Sequence, residues 1–196
     1  MNLRHPTTSF LAQGKQRDNS NGVSLLFKDT IMKTFFGISL LVLFSTSISG
    51  QNLKSLDDKY GFRGAKFETP FDSLKNLVEI EKGFYTSTSE DLKLGEYDLS
   101  QIVYSFYKGQ LYIIGITTKG YTNSNGILSI LQQAYGKGYQ SNEYIEKYIW
   151  FGKKVIMSYE QNSATRDATV FIMCRKLSDL KEADEKKANE EAAKQL

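Results

Sequence analysis

The sequence predicts an α+β domain: a mostly antiparallel sheet with two short helices packed on one face, followed by a charged C-terminal helix. Three observations carry this. Alternating β-branched and aromatic runs recur between residues 99 and 176, separated by short polar or Gly-containing turns. Two other stretches, after Thr69 and after Asn123, place apolar residues at helical spacing. From Leu177 onward the chain turns to Lys, Glu and Ala. Strands joined by short turns pair antiparallel, which leaves helices to gather on one face.

Each element has its own signature. Residues 61–67 alternate Phe62, Gly64 or Ala65, and Phe67, a short strand. Thr69-Pro70-Phe71-Asp72 then reads as a helix start: Thr69 caps, Pro70 suits the first helical position, and Asp72 sits where a capping-box acid belongs. Phe71, Leu74, Leu77 and Val78 fall on one helical face, and Gly83 breaks the run. Residues 84–88 suggest a strand, with a loop around Gly95. The clearest element is a hairpin. Residues 99–107 place Ile102, Tyr104 and Phe106 on one face, Lys108-Gly109 turns the chain, and 111–118 return with Tyr112, Ile114 and Ile116 alternating. Asn123, Ser124 and Asn125 open a helix whose stripe is Ile127, Leu128, Leu131, Ala134 and Tyr135, stopped by Gly136. Strands follow at 147–151 and 155–159, joined by Gly152-Lys153-Lys154. After a polar loop, residues 168–176 are apolar on both faces, as a central strand requires. Ser178 suits an N-cap for the last helix.

The chain divides at its N-terminus. Residues 32–50 carry the layout of a secretory signal peptide: Lys33, a ten-residue apolar stretch from Phe35 to Phe44, then small polar residues to Gly50. A membrane-spanning helix needs about 20 apolar residues. Cleavage after Gly50 makes Gln51 the first mature residue. No Cys stands directly after the apolar stretch, so a lipid anchor is not expected. Residues 1–31 are polar and aperiodic, and Met32 is the expected start. The remaining chain is then a linker over 51–60, a single domain over 61–178 and a solvated helical tail over 179–196. The expected location is periplasmic or secreted, with contact to a membrane only through an uncleaved signal.

Charge must be read on the mature chain. The full sequence has 25 basic and 22 acidic residues. Five basic and two acidic residues precede residue 51, so 20 of each remain. The tail over 179–196 holds four Lys against six acids, spaced four apart as Lys181–Glu185, Glu182–Lys186 and Glu190–Lys194. A balanced charge, with basic clustering limited to Lys153-Lys154 and Arg175-Lys176, gives no warrant for a nucleic-acid partner.

Several chemistries are closed to residues 51–196. The only His is His5, so Ser-His-Asp and Cys-His catalysis are unavailable, as are His-based zinc sites. The single Cys, Cys174, lies in an apolar strand and reads as a small buried hydrophobe. Ser105 with Lys108, and Ser178 with Lys181, match Ser-x-x-Lys but lack the companion motifs of penicillin-recognising enzymes. Gly136-Lys137-Gly138 follows a helix instead of preceding one, which makes it a stop and not a phosphate loop. The acids Glu143 and Glu146 could serve glycoside hydrolysis only across a cleft. No catalytic residue, cofactor or metal is therefore assigned.

Aromatic content is the feature left to explain. All twelve Tyr follow residue 50, and Tyr135, Tyr139, Tyr144, Tyr148 and Trp150 crowd one stretch. Tyr and Trp are enriched in protein interfaces and stack on sugars. Tyr139, Tyr144, Tyr148 and Trp150 are the candidate partner surface; the competing reading puts Tyr135, Tyr148 and Trp150 in the core, with Tyr139 and Tyr144 edging a loop. Phe62-Arg63-Gly64-Ala65-Lys66-Phe67, Tyr135-Gly136-Lys137-Gly138-Tyr139-Gln140 and Tyr148-Ile149-Trp150-Phe151-Gly152 together resemble small exported proteins of unknown function from Bacteroidetes-type bacteria, over about residues 60–176. The element order is also loosely similar to beta-lactamase-inhibitory-protein modules and to outer-membrane-assembly lipoproteins, although a lipid-anchor Cys is missing. The resemblance implies no catalytic residue. The expected function is a non-enzymatic exported domain binding a protein, peptide or envelope polysaccharide, with a carboxylate-using envelope hydrolase as the alternative.

Overall fold

The computed structural model describes residues 52–195; the expected leader and signal peptide lie outside the described residues. The first element is a helix, α1 (Leu53–Lys59), where a linker was expected. Asn52 starts it: its side-chain oxygen accepts from the Ser55 N–H, and its own N–H donates to the Tyr135 carbonyl at 2.8 Å. Leu56 and Asp57 are buried. A seven-residue stretch with one buried Leu carries too little periodic signal to be recognised as a helix.

The strand expected over 61–67 is a tight hairpin of β1 (Gly61–Phe62) and β2 (Ala65–Lys66), turned at Arg63-Gly64. The helix expected after Thr69 does not form. Only a single 3-10 turn, Phe71–Ser73, appears, and Leu77–Glu81 is a strand, β3. Backbone pairing accounts for this. The Thr69 carbonyl accepts from the Leu111 N–H at 3.0 Å, and the Phe71 N–H donates to the Gly109 carbonyl at 2.8 Å. Phe71 also packs edge-on against Tyr85 and Phe106, with centroids 4.9 Å away in each case. Long-range pairing with the central hairpin thus overrides a helical spacing in which Val78 and Ile80 favour strand.

β4 (Phe84–Ser87) returns antiparallel to β3. The region around Gly95 forms a small hairpin of β5 (Lys93–Leu94) and β6 (Tyr97–Asp98). The Tyr97 ring lies so close to Gly126 that a side chain there would overlap it. The expected central hairpin forms as β7 (Gln101–Tyr107) and β8 (Gln110–Thr118). Helix α2 (Gly120–Tyr135) starts three residues before Asn123 and stops at Gly136 as expected. Asn123 and Ser124 are not caps. Asn123 accepts from the Asp98 N–H, and Ser124 pairs with Thr118 and donates to the Arg166 carbonyl. β9 (Lys147–Phe151), β10 (Val155–Gln161) and β11 (Ala168–Cys174) complete one antiparallel seven-stranded sheet, in the order β3-β4-β7-β8-β11-β10-β9.

Register fixes the core. Trp150, Met157, Ile172 and Ile114 are successive cross-strand neighbours, as are Tyr148, Tyr159, Val170 and Ile116. All eight are buried. Helix α2 lies over this face: Tyr159 donates to the Ser124 carbonyl and the Trp150 indole N–H donates to the Gly136 carbonyl. Alternate residues Val103, Ile113, Phe171 and Met173 are buried too, so the central position expected for residues 168–176 holds.

The last helix, α3 (Arg175–Ala193), leaves β11 directly, so Cys174 and not Ser178 occupies its N-cap. Its first half is docked, in contrast to the solvated tail expected. Leu177 is buried, and Asp184 accepts from the Tyr107 hydroxyl at 2.5 Å and pairs with Lys108 at 2.6 Å. Beyond Glu185 the helix is exposed, with ion pairs such as Lys187–Glu191 along it. Lys108, and next Tyr107, hold the Asp184 carboxyl below its usual value of 3.8, and the Tyr107 hydroxyl is pushed up to about 12 chiefly by Asp184. A carboxyl whose folded-state value is depressed adds stability in full above the unfolded value and loses it as pH falls through the folded one. In an NMR titration, the Tyr107 and Lys108 amides should therefore report the loss of the Asp184 contacts with a midpoint below pH 3.8. In Asp184→Asn that transition should be absent from both amides.

Candidate functional site

Two surfaces gather side chains that could recognise a partner. The first is the loop between α2 and β9. Gly136 ends the helix, and Gly138 lies against the Trp150 ring, where an added side chain would meet Trp150 Cε2 at 2.9 Å. Tyr139 then bridges Ile149, exchanging N–H···O bonds of 2.7 and 2.8 Å. This covers part of the outer edge of β9. Asn142 Oδ1 accepts from the Tyr144 N–H at 2.9 Å, an Asx turn, while the Gln140 amide donates to the Ile145 carbonyl at 2.9 Å. The Lys147 N–H donates to that same carbonyl, and the Gln161 N–H donates to the Glu146 carbonyl.

Backbone held this way projects Tyr144, 88 % exposed, and Ile145, 47 % exposed. Tyr139 stands beside them in sequence at 37 % exposure, its ring 6.3 Å from Phe151. Of the four aromatic residues singled out, Tyr139 and Tyr144 are thus on the surface. Tyr148 and Trp150 are not: they take the inward positions of β9, where Trp150 is fully buried. A period of two sends 148 and 150 to one face, and register with β10 makes that face the core. Burial, followed by the Glu146 carboxylate that accepts its hydroxyl at 2.9 Å, holds Tyr148 above its usual ionisation range. Ile145 was not anticipated; its apolar exposure appears only once the loop geometry is known.

The second surface is a groove of about 200 Å³ between the β1–β2 turn, the 74–77 segment, the end of β4 and the middle of β7. Phe62, Leu74 and Leu77 form apolar walls. At its floor Tyr104 donates to Glu90 Oε2 at 2.7 Å, and Arg63 pairs with Glu90 Oε1 at 3.2 Å. Arg63 also donates to the Asp91 and Lys93 carbonyls and stacks over Phe62, which ties the β1–β2 turn to the 90–93 segment. Arg63 adopts φ 52°, a left-handed conformation in a non-glycine residue, so these contacts hold a strained turn. Burial first, and then Glu90, raises the Tyr104 hydroxyl far above its usual value of 10.0, so it stays a donor. Lys75 stands exposed at the rim. No sequence spacing announces this group. Arg63, Lys75, Glu90 and Tyr104 come from four separate segments, and only the fold assembles them.

Other expected features resolve simply. Glu143 and Glu146 do not face each other across a cleft: Glu146 is engaged by Tyr148 and Glu143 is exposed in the loop. Among the described residues, Glu90 is the only carboxylate lining the groove. Ser105 is buried and donates to the Gly83 carbonyl. Cys174 is fully buried, 3.2 Å from the Tyr60 hydroxyl, which donates to Glu68 at 2.8 Å. Among the described residues no cluster of three His, Cys, Asp or Glu side chains forms a metal centre, and no helix is long and apolar enough to cross a membrane.

The fold defines an α+β protein built on one antiparallel seven-stranded sheet with a helical face. Neither a protein-family model, nor a curated protein, nor a solved structure matches the chain.

Proposed function

We propose that this chain is an exported, non-enzymatic binding domain of the bacterial envelope whose ligand is a protein, a peptide or an envelope polysaccharide. The observation that carries the reading is the Tyr144–Ile145 projection on a hydrogen-bonded loop. Large apolar side chains displayed on ordered backbone lose little entropy on binding, and Tyr contributes both contact area and a hydrogen-bonding hydroxyl. Export is inferred from the signal-peptide layout at residues 32–50. The position of the first helix is compatible with it: Asn52 caps α1, one residue beyond the expected first mature residue, Gln51.

The test expresses the full sequence and recovers the protein from the envelope fraction. Its N-terminus should begin at Gln51; a product retaining Arg4 or Lys15 overturns the export reading. Partners recovered with the wild-type protein should be lost with Tyr144→Ser. Because Tyr144 is exposed, that variant should keep the wild-type stability within about 0.5 kcal/mol. Unchanged partner recovery would refute the loop as the binding surface.

A further inference from the structure

We infer that one end of the domain is a docking surface for the anionic phospholipid headgroups of a membrane. It is separate from the Tyr144 loop and from the groove. The fold assembles it from exposed lysines on four segments. Lys59 ends α1, Lys66 lies on β2, Lys153 and Lys154 form the β9–β10 turn, and Lys176 stands in the first turn of α3.

Tyr60 gathers them. Its ring lies 6.0 Å from the Lys154 ammonium, and its hydroxyl donates at 2.8 Å to Glu68, which pairs with Lys176. The Lys66 ammonium donates at 2.5 Å to the carbonyl of Lys59, the residue before Tyr60. Asp57 ties the turn to α1 through the Lys153 and Lys154 N–H groups, and the Arg175 N–H donates to the Lys154 carbonyl. Two basic pairs far apart in the sequence, Lys153-Lys154 and Arg175-Lys176, thus become neighbours.

This charge is not offset locally. Asp57 turns inward beneath the β9–β10 turn, Asp58 pairs with Lys54, and Glu68 is held by Lys176. Lys59, Lys66, Lys153 and Lys154 have no ion pair among the described residues. Like charges gathered this closely repel one another, and an anionic partner relieves the repulsion.

The chemistry favours a bilayer over a nucleic acid or a sugar chain. Lysines are point charges on flexible stems, suited to a diffuse layer of headgroups, and they lack the planar fork of Arg that grips one phosphate. Tyr60, the aromatic among them, is half-buried, with Lys154 over its ring and Phe67 edge-on at 5.5 Å, so it offers no open stacking platform. Tyr144 precedes β9 and Lys153 follows it. A domain resting on the lysines therefore points the Tyr144 loop away from the membrane.

The test mixes the protein recovered from the envelope fraction with sedimenting vesicles. These are phosphatidylcholine alone, or with about 30 % phosphatidylglycerol. The protein should bind only the anionic vesicles, and raising NaCl from about 50 to about 500 mM should release it. At about fivefold per lysine, Lys153→Gln/Lys154→Gln should weaken binding about thirtyfold, and Lys59→Gln/Lys66→Gln by as much. Lys186→Gln/Lys187→Gln, on the exposed end of α3, should leave it unchanged. All six lysines are exposed, so the variants should keep the wild-type circular-dichroism melt. Equal binding to both kinds of vesicle, binding that survives high salt, or full binding by both patch variants would overturn the inference. So would release by inorganic phosphate beyond that by NaCl at equal ionic strength, which marks a discrete anion site. Tighter binding to dextran sulfate than to vesicles would also overturn it, in favour of a polysaccharide.

Discussion

Replacing Trp150 with alanine should remove about 4 kcal/mol of stability, the largest loss expected from any single side chain in the domain. Trp150 is fully buried on the core side of β9, the last strand of the sheet, opposite Met157 and 6.4 Å from the Tyr148 ring. Truncation of a buried Trp or Phe to Ala costs about 3–5 kcal/mol through lost transfer energy and the cavity left behind. Here it also strips the Gly136 carbonyl of its 2.8 Å indole partner. Domains of this size have about 5–15 kcal/mol in total, so the variant should be marginal. With a urea dependence of about 2 kcal/mol/M, the midpoint should fall by about 2 M. Circular dichroism must follow the transition, because Trp150 is the only tryptophan. Trp150→Phe keeps most of the volume and loses the hydrogen bond, and should cost about 1–2 kcal/mol. A loss below about 1 kcal/mol in Trp150→Ala would contradict the packing described. The same variant bears on the loop proposed to bind a partner, whose Gly136 and Gly138 rest on this ring.

Asp57→Ala should be the next most damaging change, at about 3 kcal/mol. The carboxylate of this α1 residue accepts three backbone N–H groups from the β9–β10 turn: Lys153 at 2.8 Å, Lys154 at 2.8 Å and Val155 at 3.0 Å. It is nearly buried, and Gly152 leaves room for it; a side chain at 152 would overlap its Oδ1. Hydrogen bonds to a charged group contribute about 1.5–3 kcal/mol, and three donors would be orphaned at once. At about 3 °C per kcal/mol for a domain of this length, the melting temperature should drop by about 9 °C. Asp57→Asn separates charge from shape. Its oxygen can keep Lys154 and Val155, while its NH₂ faces the Lys153 N–H donor to donor, so about half the loss should remain. An unchanged melting temperature in Asp57→Ala would mean that α1 is not pinned to the sheet.

Those two residues show where sequence reasoning succeeds and where it stops. Trp150 was readable as part of a strand, because 147–151 alternates and ends at a Gly turn. Whether its face was core or surface was not readable, because a period of two defines two faces without saying which is buried. Asp57 was invisible: it sits in a stretch taken for a linker, and its three partners lie about a hundred positions away. Tyr144 was legible because a Tyr amid Ser, Asn and Glu belongs to a loop. The groove was not, since Arg63, Lys75, Glu90 and Tyr104 share no motif.

Local chemistry by itself determined the antiparallel α+β class, the central hairpin with its Lys108-Gly109 turn, the Gly136 helix stop and the apolar strand that holds Cys174. Each rests on neighbours within a few positions, where periodicity and turn residues act. The tertiary structure alone decided that residues 69–78 become a turn and an edge strand. Only in that arrangement does Phe71 gain two aromatic neighbours and the Gly109 carbonyl, and Thr69 the Leu111 N–H of β8, and no local preference of a Thr-Pro start outweighs these contacts. It also decided that the charged tail docks through Asp184, because Tyr107 and Lys108 reach that carboxylate only after the sheet has formed.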